Sequence, residues 1–559
     1  MTGESRVPAD LESQRPSAPE AWTEARSDTA SQPAIDPLSR PELAAPPEIR
    51  AAPEGRPLQG DEAPPLFSSR AGRGYQLRVR RTGLVLKPNN SRVVIRPFEP
   101  TSNTRIERIL ARIQALPEAE VELLLDEVMQ EFRNRHQRIR PFFLKRFEQV
   151  KSYLLTDQPL SENRKLLIGA YFTQEYALES AALFNPSMVW HPDQSGLPEG
   201  SRRFILSLRA TGEGHISSIT FRSGVIDASN HIRLDEPTRF VTAPELVPNT
   251  LYDKRLFTRK LSELGIDGVF AEQVLGTLHD QFTQDELETA VRTALHQSRP
   301  RHREVQPIAD GMLTLVRANY EIDFSPDLNL SERIIFPSSP TEINGIEDAR
   351  FVRFQEDDGS ISYYATYTAF DGKVVLPQVL ETRDFLRFKA STLNGPEVRN
   401  KGLALFPRRV NGLYAMLSRQ DNENIYLMYS DMLHFWYTKV QIARPTYPWE
   451  FVQLGNCGSP LETEAGWLVL THGVGPMRKY AMGAFLLDLH DPTRVIGRLD
   501  EPLLEPNANE REGYVPNVVY SCGGVIHNGE LIIPYAMSDY ASTFGTIPVA
   551  SVLDAMVRL

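Results

Sequence analysis

Apolar positions along this chain change their period several times, and each change marks a different kind of structure. Residues 1 to about 75 are rich in Pro, Ala, Glu, Ser and Arg and carry no periodic apolar positions. Such a stretch buries too little to offset its chain entropy, so a disordered tail is expected over 1–75. From Leu77 the texture changes. Leu84-Val85-Leu86 and Val93-Val94-Ile95 are short apolar runs that suit a small hairpin or an extended arm. Ile106, Ile109, Leu110, Ile113 and Leu116 then recur at helical spacing, and Pro117 closes that helix. Val121, Leu124, Leu125, Val128, Met129 and Phe132 predict a second amphipathic helix, with His136 as an ordinary surface residue on it. Phe142, Phe143, Phe147, Val150 and Leu154 predict a third. A mainly helical region over 76–184 results, and its apolar stripes need a partner, either a face of the next domain or a second subunit in a homo-oligomer.

Near Asn185-Pro186 the pattern becomes β. Phe204–Arg209 and His215–Arg222 are strands joined by Ala-Thr-Gly-Glu-Gly, a hairpin by its turn chemistry. A helical piece interrupts at 252–300, where Thr283 and Glu286 have capping-box spacing ahead of Leu287, Val291 and Leu295. From about 310 to the end, short strands alternate with Gly, Asn, Asp and Pro turns. Gly359-Ser360, Asn411-Gly412, Ala465-Gly466 and Asn528-Gly529 each precede a strand, at spacings of about 50–65 residues. With the hairpin near 205–222 that makes five units. The fold class expected is mainly β: a five-bladed β-propeller over 185–559, with an N-terminal α-helical region and a helical insertion; a β-sandwich with long loops is the alternative.

Composition narrows the partners. The 559 residues carry a formal charge of −11, which argues against a nucleic-acid-binding surface. Two cysteines, Cys457 and Cys522, make neither a disulfide framework nor a metal-ligand spacing, as expected in a reducing cytoplasm without a metal cofactor. The N-terminus has no basic segment leading into an apolar one, and no run approaches the roughly 18 apolar residues of a membrane span.

The richest polar stretch is Asn344-Gly345-Ile346-Glu347-Asp348-Ala349-Arg350, a turn feeding a strand. Strand alternation sets Glu347 and Asp348 on opposite faces and Asp348 with Arg350 on one side. An arginine beside a carboxylate suits glycoside chemistry; a solvated turn is the plainer reading. Arg399-Asn400-Lys401-Gly402 offers three consecutive donors, an anion cradle or a charged turn. Ser418-Arg419-Gln420-Asp421, the loop from Thr471-His472 to Arg478, and Ala536-Met537-Ser538-Asp539-Tyr540 also gather polar groups at strand ends. His472 follows an apolar strand and is equally readable as a core histidine. No nucleophile elbow, Walker loop, zinc-protease motif or dinucleotide fingerprint is present.

Taken together, Gly345–Arg350, Thr366-Tyr367-Thr368-Ala369-Phe370-Asp371-Gly372, Lys401 with Leu405-Phe406-Pro407, Gly466-Trp467-Leu468 with His472-Gly473-Val474, and Leu486-Leu487-Asp488 resemble glycoside hydrolase family 130 in order and spacing across about 185–550. The resemblance implies a five-bladed propeller acting on β-mannosides, as an inverting phosphorylase or an inverting β-1,2-mannosidase. By position, it implies Asp348 as general acid with Arg350 beside it. It makes Arg399, Asn400 and His472 phosphate ligands with Lys401 and Arg478 nearby, and Arg209, Arg419 and Asp539 contacts to sugar or phosphate. The family usually has Pro where this chain has Ala349, which loosens the turn. The expected reaction is phosphorolysis of β-1,2-linked manno-oligosaccharides to α-mannose 1-phosphate, with inorganic phosphate as co-substrate and Asp348 protonated for its task. A hydrolase would instead need a second carboxylate, for which Glu510 and Glu512 are the candidates. A sugar-binding propeller without catalysis is the reading from another class.

Overall fold

Strands that read as unbroken apolar runs are buried on both faces. In the computed structural model, which describes residues 77–559 apart from 157, 249, 299–301 and 373–374, the run Gly466–Val474 shows why. Trp467 and Val469 enter one core, whereas Leu468 and Leu470 enter another. Side chains alternate across a strand, so a sheet sandwiched between two others needs apolar residues at every position. Each such fully buried large side chain is worth ~1.5–3 kcal/mol relative to exposure.

Among the described residues five antiparallel sheets of four or more strands form the bulk of the molecule, which is mainly β. Sheet I contains Ala182–Trp190, Arg202–Thr211 and Ser217–Ile226, edged by Ile334–Ile335. Sheet II contains Ile346–Gln355, Ile361–Phe370, Val375–Thr382 and Arg387–Thr392, extended by Tyr320–Asp323 and Glu245–Leu246. Sheet III contains Ala404–Leu405, Tyr414–Ser418, Ile425–Ser430 and Thr438–Ala443. Sheet IV contains Gln453–Asn456, Gly466–Val474, Tyr480–Leu487, Val495–Arg498 and Val557–Arg558. Sheet V contains Val519–Tyr520, Glu530–Met537, Ala541–Pro548 and Arg80–Leu86.

Every sheet shares a core with the next. Ile205 and Phe221 of sheet I meet Phe351 and Phe388 of sheet II. Phe354 and Tyr364 of sheet II meet Met416 and Met428 of sheet III, and Leu417 of sheet III meets Trp467 and Phe485 of sheet IV. Leu470 and Met482 of sheet IV meet Ile533 and Tyr535 of sheet V. Sheet V then returns to the start, with Ile532 and Phe544 against Phe204 and Leu206 of sheet I.

The helices form two groups, each with an apolar core. α1 (Asn103–Gln114), α2 (Glu118–Phe132), α3 (Ile139–Val150) and α4 (Glu162–Tyr171) bury their stripes around Leu110, Val121, Phe147, Leu167 and, in a second cluster, Leu125, Phe143 and Leu166. Ser102 and Ser161 cap α1 and α4 by accepting from the N–H groups of Arg105 and Arg164. A second helical group, α5 (Lys254–Glu263), α6 (Val269–Gly276), α7 (Gln284–Gln297) and α8 (His302–Arg317), has its own core of Phe257, Phe282, Val291, Met312 and Val316. The capping box of Thr283 and Glu286 opens α7. A short α9 (Val549–Ala555) follows sheet V. Among the described residues no helix is long and apolar enough to cross a membrane.

Several expectations are corrected. The runs at 84–86 and 93–95 do not pair with each other: Arg80–Leu86 joins Ala541–Pro548, and Val93–Pro97 joins Thr173–Ala177. Arg80–Leu86 thus completes a sheet of the 185–559 region, and the described residues 77–559 fall within one compact unit. His136 lies beyond α2 and is buried, with Nε2 2.7 Å from Glu175. The insertion runs on to Arg317, because Met312, Leu315 and Val316 belong to its core. The tail expected over 1–75 lies outside the described residues.

Candidate active site

The strand Ile346–Gln355 begins with a distortion that organises the site. Gly345 sits at φ 126° against sheet I, where a Cβ would fall 2.4 Å from Ser217 Oγ, and Ser217 Oγ donates to the Ile346 carbonyl at 3.0 Å. Pairing with Ile361–Phe370 then slips between Glu347 and Arg350, and Asp348 takes φ 53°. This bulge breaks the alternation assumed from sequence. Glu347 and Asp348 do not face apart but share one partner: Arg209 donates to Glu347 Oε1 at 2.9 Å and to Asp348 Oδ1 at 3.3 Å. Asn185, at φ 48° in a matching irregularity of sheet I, donates Nδ2–H to Asp348 Oδ1 at 2.7 Å.

Arg350, 2% exposed, ties three sheets together. Its Nε donates to the Cys457 carbonyl at 2.8 Å, Nη2 to the Tyr520 hydroxyl at 2.6 Å and Nη1 to the Asp348 carbonyl at 3.3 Å. Lys401 Nζ lies 2.6 Å from Glu347 Oε2, so this lysine, expected near phosphate, is instead paired with a carboxylate. Arg419, 8% exposed at the end of Tyr414–Ser418, donates Nη1–H to His472 Nε2 at 3.1 Å. Gly455 makes room: a Cβ there would fall 2.4 Å from His472 Cε1 and 3.0 Å from Arg419 Cδ. The His472 ring stacks on Tyr480 and meets Tyr520 edge-on. Because Arg419 can only donate, Nε2 is the acceptor and Nδ1 carries the proton, buried and without a hydrogen-bond partner.

The loop before sheet III rests on Arg419. Asn400, at φ 64°, donates Nδ2–H to the Arg419 carbonyl at 3.2 Å, and a Cβ on Gly402 would lie 3.4 Å from Arg419 Nε. Arg399 is exposed, with Nε bonded to the Pro396 carbonyl. Asp539 is half-buried on the turn from Glu530–Met537 to Ala541–Pro548, with Ser538 and Asp539 both at positive φ. Arg478 is exposed on the turn before Tyr480–Leu487. Glu510 does not join the site: it accepts from Arg81 Nε at 2.9 Å and Tyr535 hydroxyl at 2.7 Å, anchoring the first strand of sheet V. Glu512 is exposed on the following loop.

Charge is distributed unevenly. Burial opposes ionisation of Asp348, but Arg209, Arg350 and the Asn185 hydrogen bond outweigh it and hold the carboxyl at about 2. Burial likewise works against Glu347, and Arg209 with Lys401 keeps it below the usual range. Asp539 goes the other way: burial, reinforced by the charge of Asp348 and opposed by Arg209, pushes it up to about 7. Burial and the cations Arg419 and Arg350 hold His472 neutral. The carboxyl expected to carry a proton, Asp348, is thus ionised in this arrangement, and the one near neutrality is Asp539.

Asn185, Glu347, Asn456 and Tyr520 were not singled out for a role from sequence. Asn456 donates Nδ2–H to the Gly402 carbonyl at 2.9 Å, steadying the same loop. Asn185-Pro186 carried a signal, since Asn tolerates left-handed backbone; Tyr520, in Val518-Val519-Tyr520, reads as core and carried none.

The profile of glycoside hydrolase family 130, described as β-1,4-mannooligosaccharide phosphorylase, matches residues 322–558. The 1,2-β-oligomannan phosphorylase of Thermoanaerobacter sp. (strain X514) is 36% identical over 220 residues, covering 38% of this chain and 71% of that protein. The β-1,2-mannobiose phosphorylase of the same organism is 35% identical over 213 residues, 36% of this chain and 66% of its own length. That of Listeria innocua is 30% identical over 227 residues, 39% of this chain and 62% of its own length, so for these two the chain spans just under two thirds. The solved Listeria innocua β-1,2-mannobiose phosphorylase complex aligns over 68% of this chain and 92% of its own, at TM-score 0.41 and 21% identity. With 36% identity across 71% of a curated relative, and a profile match over the strands that carry Asp348, Arg419 and His472, the chain belongs to glycoside hydrolase family 130.

Proposed function

We propose that this chain phosphorolyses β-mannosides, β-1,2-linked manno-oligosaccharides foremost, with inversion to α-mannose 1-phosphate. The observation that carries the reading is Arg419, a buried guanidinium with no carboxylate in ion-pair range among the described residues, bonded to a neutral imidazole. A cation withdrawn from water without a counter-charge is costly, and an entering phosphate dianion relieves that cost through charge-assisted hydrogen bonds. The relatives' names, phosphorylases of 1,2-β-oligomannan and β-1,2-mannobiose, support mannoside and phosphate as the substrates.

On this reading the five sheets are blades of a propeller, a proposal supported by the shared cores that run from sheet I through sheet V and back. Residues 185–559 supply most of it, and the two helical groups are additions. Arg419 and His472 hold phosphate, with Arg399 and Asn400 on the adjoining loop and Arg478 at the margin. Arg209 and Asp539 face the sugar. A phosphate oxygen attacks the anomeric carbon as its bond to the glycosidic oxygen breaks, and the departing oxygen takes a proton from Asp348. Before substrate enters, the spare proton rests on Asp539 near pH 7. The dianion adds negative charge beside both carboxyls, raises their proton affinity, and lets the pair pass a proton to the substrate through Asp348. Arg350 fixes the backbone of Asp348, and Lys401 compensates Glu347.

Hydrolysis is less favoured: Glu510 is committed to Arg81 and Tyr535, and Glu512 is exposed. The deciding measurement is phosphorus and proton NMR of β-1,2-mannobiose incubated with enzyme, with and without phosphate. The expected result is α-mannose 1-phosphate formed only with phosphate; free mannose at equal rates in both tubes would establish hydrolysis instead.

A further inference from the structure

The insertion α5–α8 lies outside the stretch matched by the family profile, yet its first helix grips the loop that leads to Arg399 and Asn400. Lys260, 5% exposed, donates Nζ–H to the Leu393 carbonyl at 2.9 Å and pairs with Glu263 Oε2 at 3.1 Å. Glu263 Oε1 in turn accepts the Gly395 N–H at 2.8 Å. On the opposite side Trp436 N–H donates to the Asn394 carbonyl at 2.8 Å. Gly395 itself sits at φ 114°, where a Cβ would fall 1.9 Å from the Trp436 carbonyl oxygen. Residues 393–395 are therefore held between α5 and sheet III's Trp436 segment with no room to shift.

From this clamp the path onward is fixed bond by bond. The next carbonyl, Pro396, accepts from Arg399 Nε at 3.0 Å, and Val398 N–H returns to the Gly395 carbonyl at 3.0 Å. Gln420 Nε2 donates to the Glu397 carbonyl at 3.0 Å, and the loop reaches Asn400 on the Arg419 carbonyl. The plainer explanation is that Lys260 and Glu263 merely stabilise the insertion. Its core, however, is apolar and includes Phe257 and Leu261 of the same helix, whereas the polar pair is directed at backbone atoms of the loop.

We propose that Lys260 and Glu263 are positioning residues for the anion site, setting the path of residues 393–400 and with it the guanidinium of Arg399 and the amide of Asn400. This rests on the phosphorolysis reading. Lys260 is buried and Glu263 partly accessible, and the segment they set ends before Lys401, whose tie to Glu347 holds the next residues on the sugar side, so a misplaced segment costs phosphate far more than mannoside.

The test is two-substrate kinetics of the full chain as Glu263→Ala, Lys260→Met and Glu263→Gln, with melting temperature measured alongside. Glu263→Ala and Lys260→Met should each raise KM for phosphate by about tenfold, with KM for mannobiose within about twofold of the wild type. Glu263→Gln keeps a carbonyl acceptor for Gly395 and should recover most of the phosphate KM. A phosphate-dependent wild type whose Glu263→Ala and Lys260→Met variants keep the same phosphate KM, or lose melting temperature alone, would overturn the proposal by itself. Wild-type cleavage that ignores phosphate would overturn the phosphorolysis reading, and this proposal with it.

Discussion

Two groups of buried arginines in this molecule look alike in exposure and differ in company. In the first, Arg92 and Arg222 converge on Glu179, at 2.9 and 2.7 Å, with all three essentially inaccessible to solvent. Arg92 also donates to the carbonyls of Thr238 and Ser331, joining the segment before Val93–Pro97 to sheet I and its neighbouring loop. Burial and the second guanidinium of Arg222, against the pull of Glu179, bring Arg92 down to about 10. In the second group, Arg350 and Arg419 have carbonyls, a phenol and a neutral imidazole for partners, but no carboxylate in ion-pair range among the described residues. The first group carries its own counter-charge. The second has only Asp348 at longer range, and on that difference rests the proposal that one cluster is structural and the other takes an anion.

The comparison can be broken hardest at Asp348. Asp348→Asn should lower kcat by ~10²–10⁴-fold, as for loss of a general acid, and should also lower the melting temperature, since Arg209 and Asn185 lose the carboxylate they bond; a variant that turns over normally would remove Asp348 from that role. Glu179→Ala should affect stability alone. It strands two buried guanidinium groups and should cost ~3–5 kcal/mol in denaturant unfolding, yet leave the phosphate KM of the folded fraction unaltered. Arg419→Ala tests the second cluster. Phosphate at a hundredfold excess over Kd should stabilise the wild type by ~2.7 kcal/mol and fail to stabilise the variant, read as a phosphate-dependent shift in melting temperature.

The smallest effect concerns Asp539, whose folded-state carboxyl titrates at about 7. A raised carboxyl means that the folded chain holds a proton the unfolded chain has already released. Stability therefore falls as pH rises from the unfolded carboxylate range through about 7. Asp539→Asn removes the penalty of ionising there, so its advantage in melting temperature over wild type should grow between pH 5 and pH 8. Parallel pH profiles for the two proteins would show that Asp539 is not raised.

Much of this was legible in the chain because periodicity reports burial. The stripes of α1–α3, the hairpin of Arg202–Thr211 and Ser217–Ile226, and the capping box of α7 follow from local pattern alone. Asp348, Arg419 and His472 stood out because polar residues interrupt or end apolar runs, although Asp348 and His472 lie within strands rather than on loops. What local pattern could not reveal depends on contacts across sheets. The bulge at Asp348 exists only when Gly345 docks against Ser217 and Arg209 reaches both carboxylates. Lys401 reads as part of an anion cradle because it stands in the donor run Arg399-Asn400-Lys401-Gly402, whereas its partner Glu347 lies 54 positions earlier. Glu510 looked free because the strand that uses it, Arg80–Leu86, lies 429 residues away in sequence.

That strand imposes an order on how the chain comes into being. Arg80 pairs with Thr546, 466 residues downstream, so Arg80–Leu86 has no sheet to join until Ala541–Pro548 has been made. Until then Arg80–Leu86 carries unpaired N–H and C=O groups, because its neighbour in sheet V is Ala541–Pro548. Ties between such distant segments are slow to form and come late, so the newborn protein meets its neighbours with an open seam that the finished one has closed.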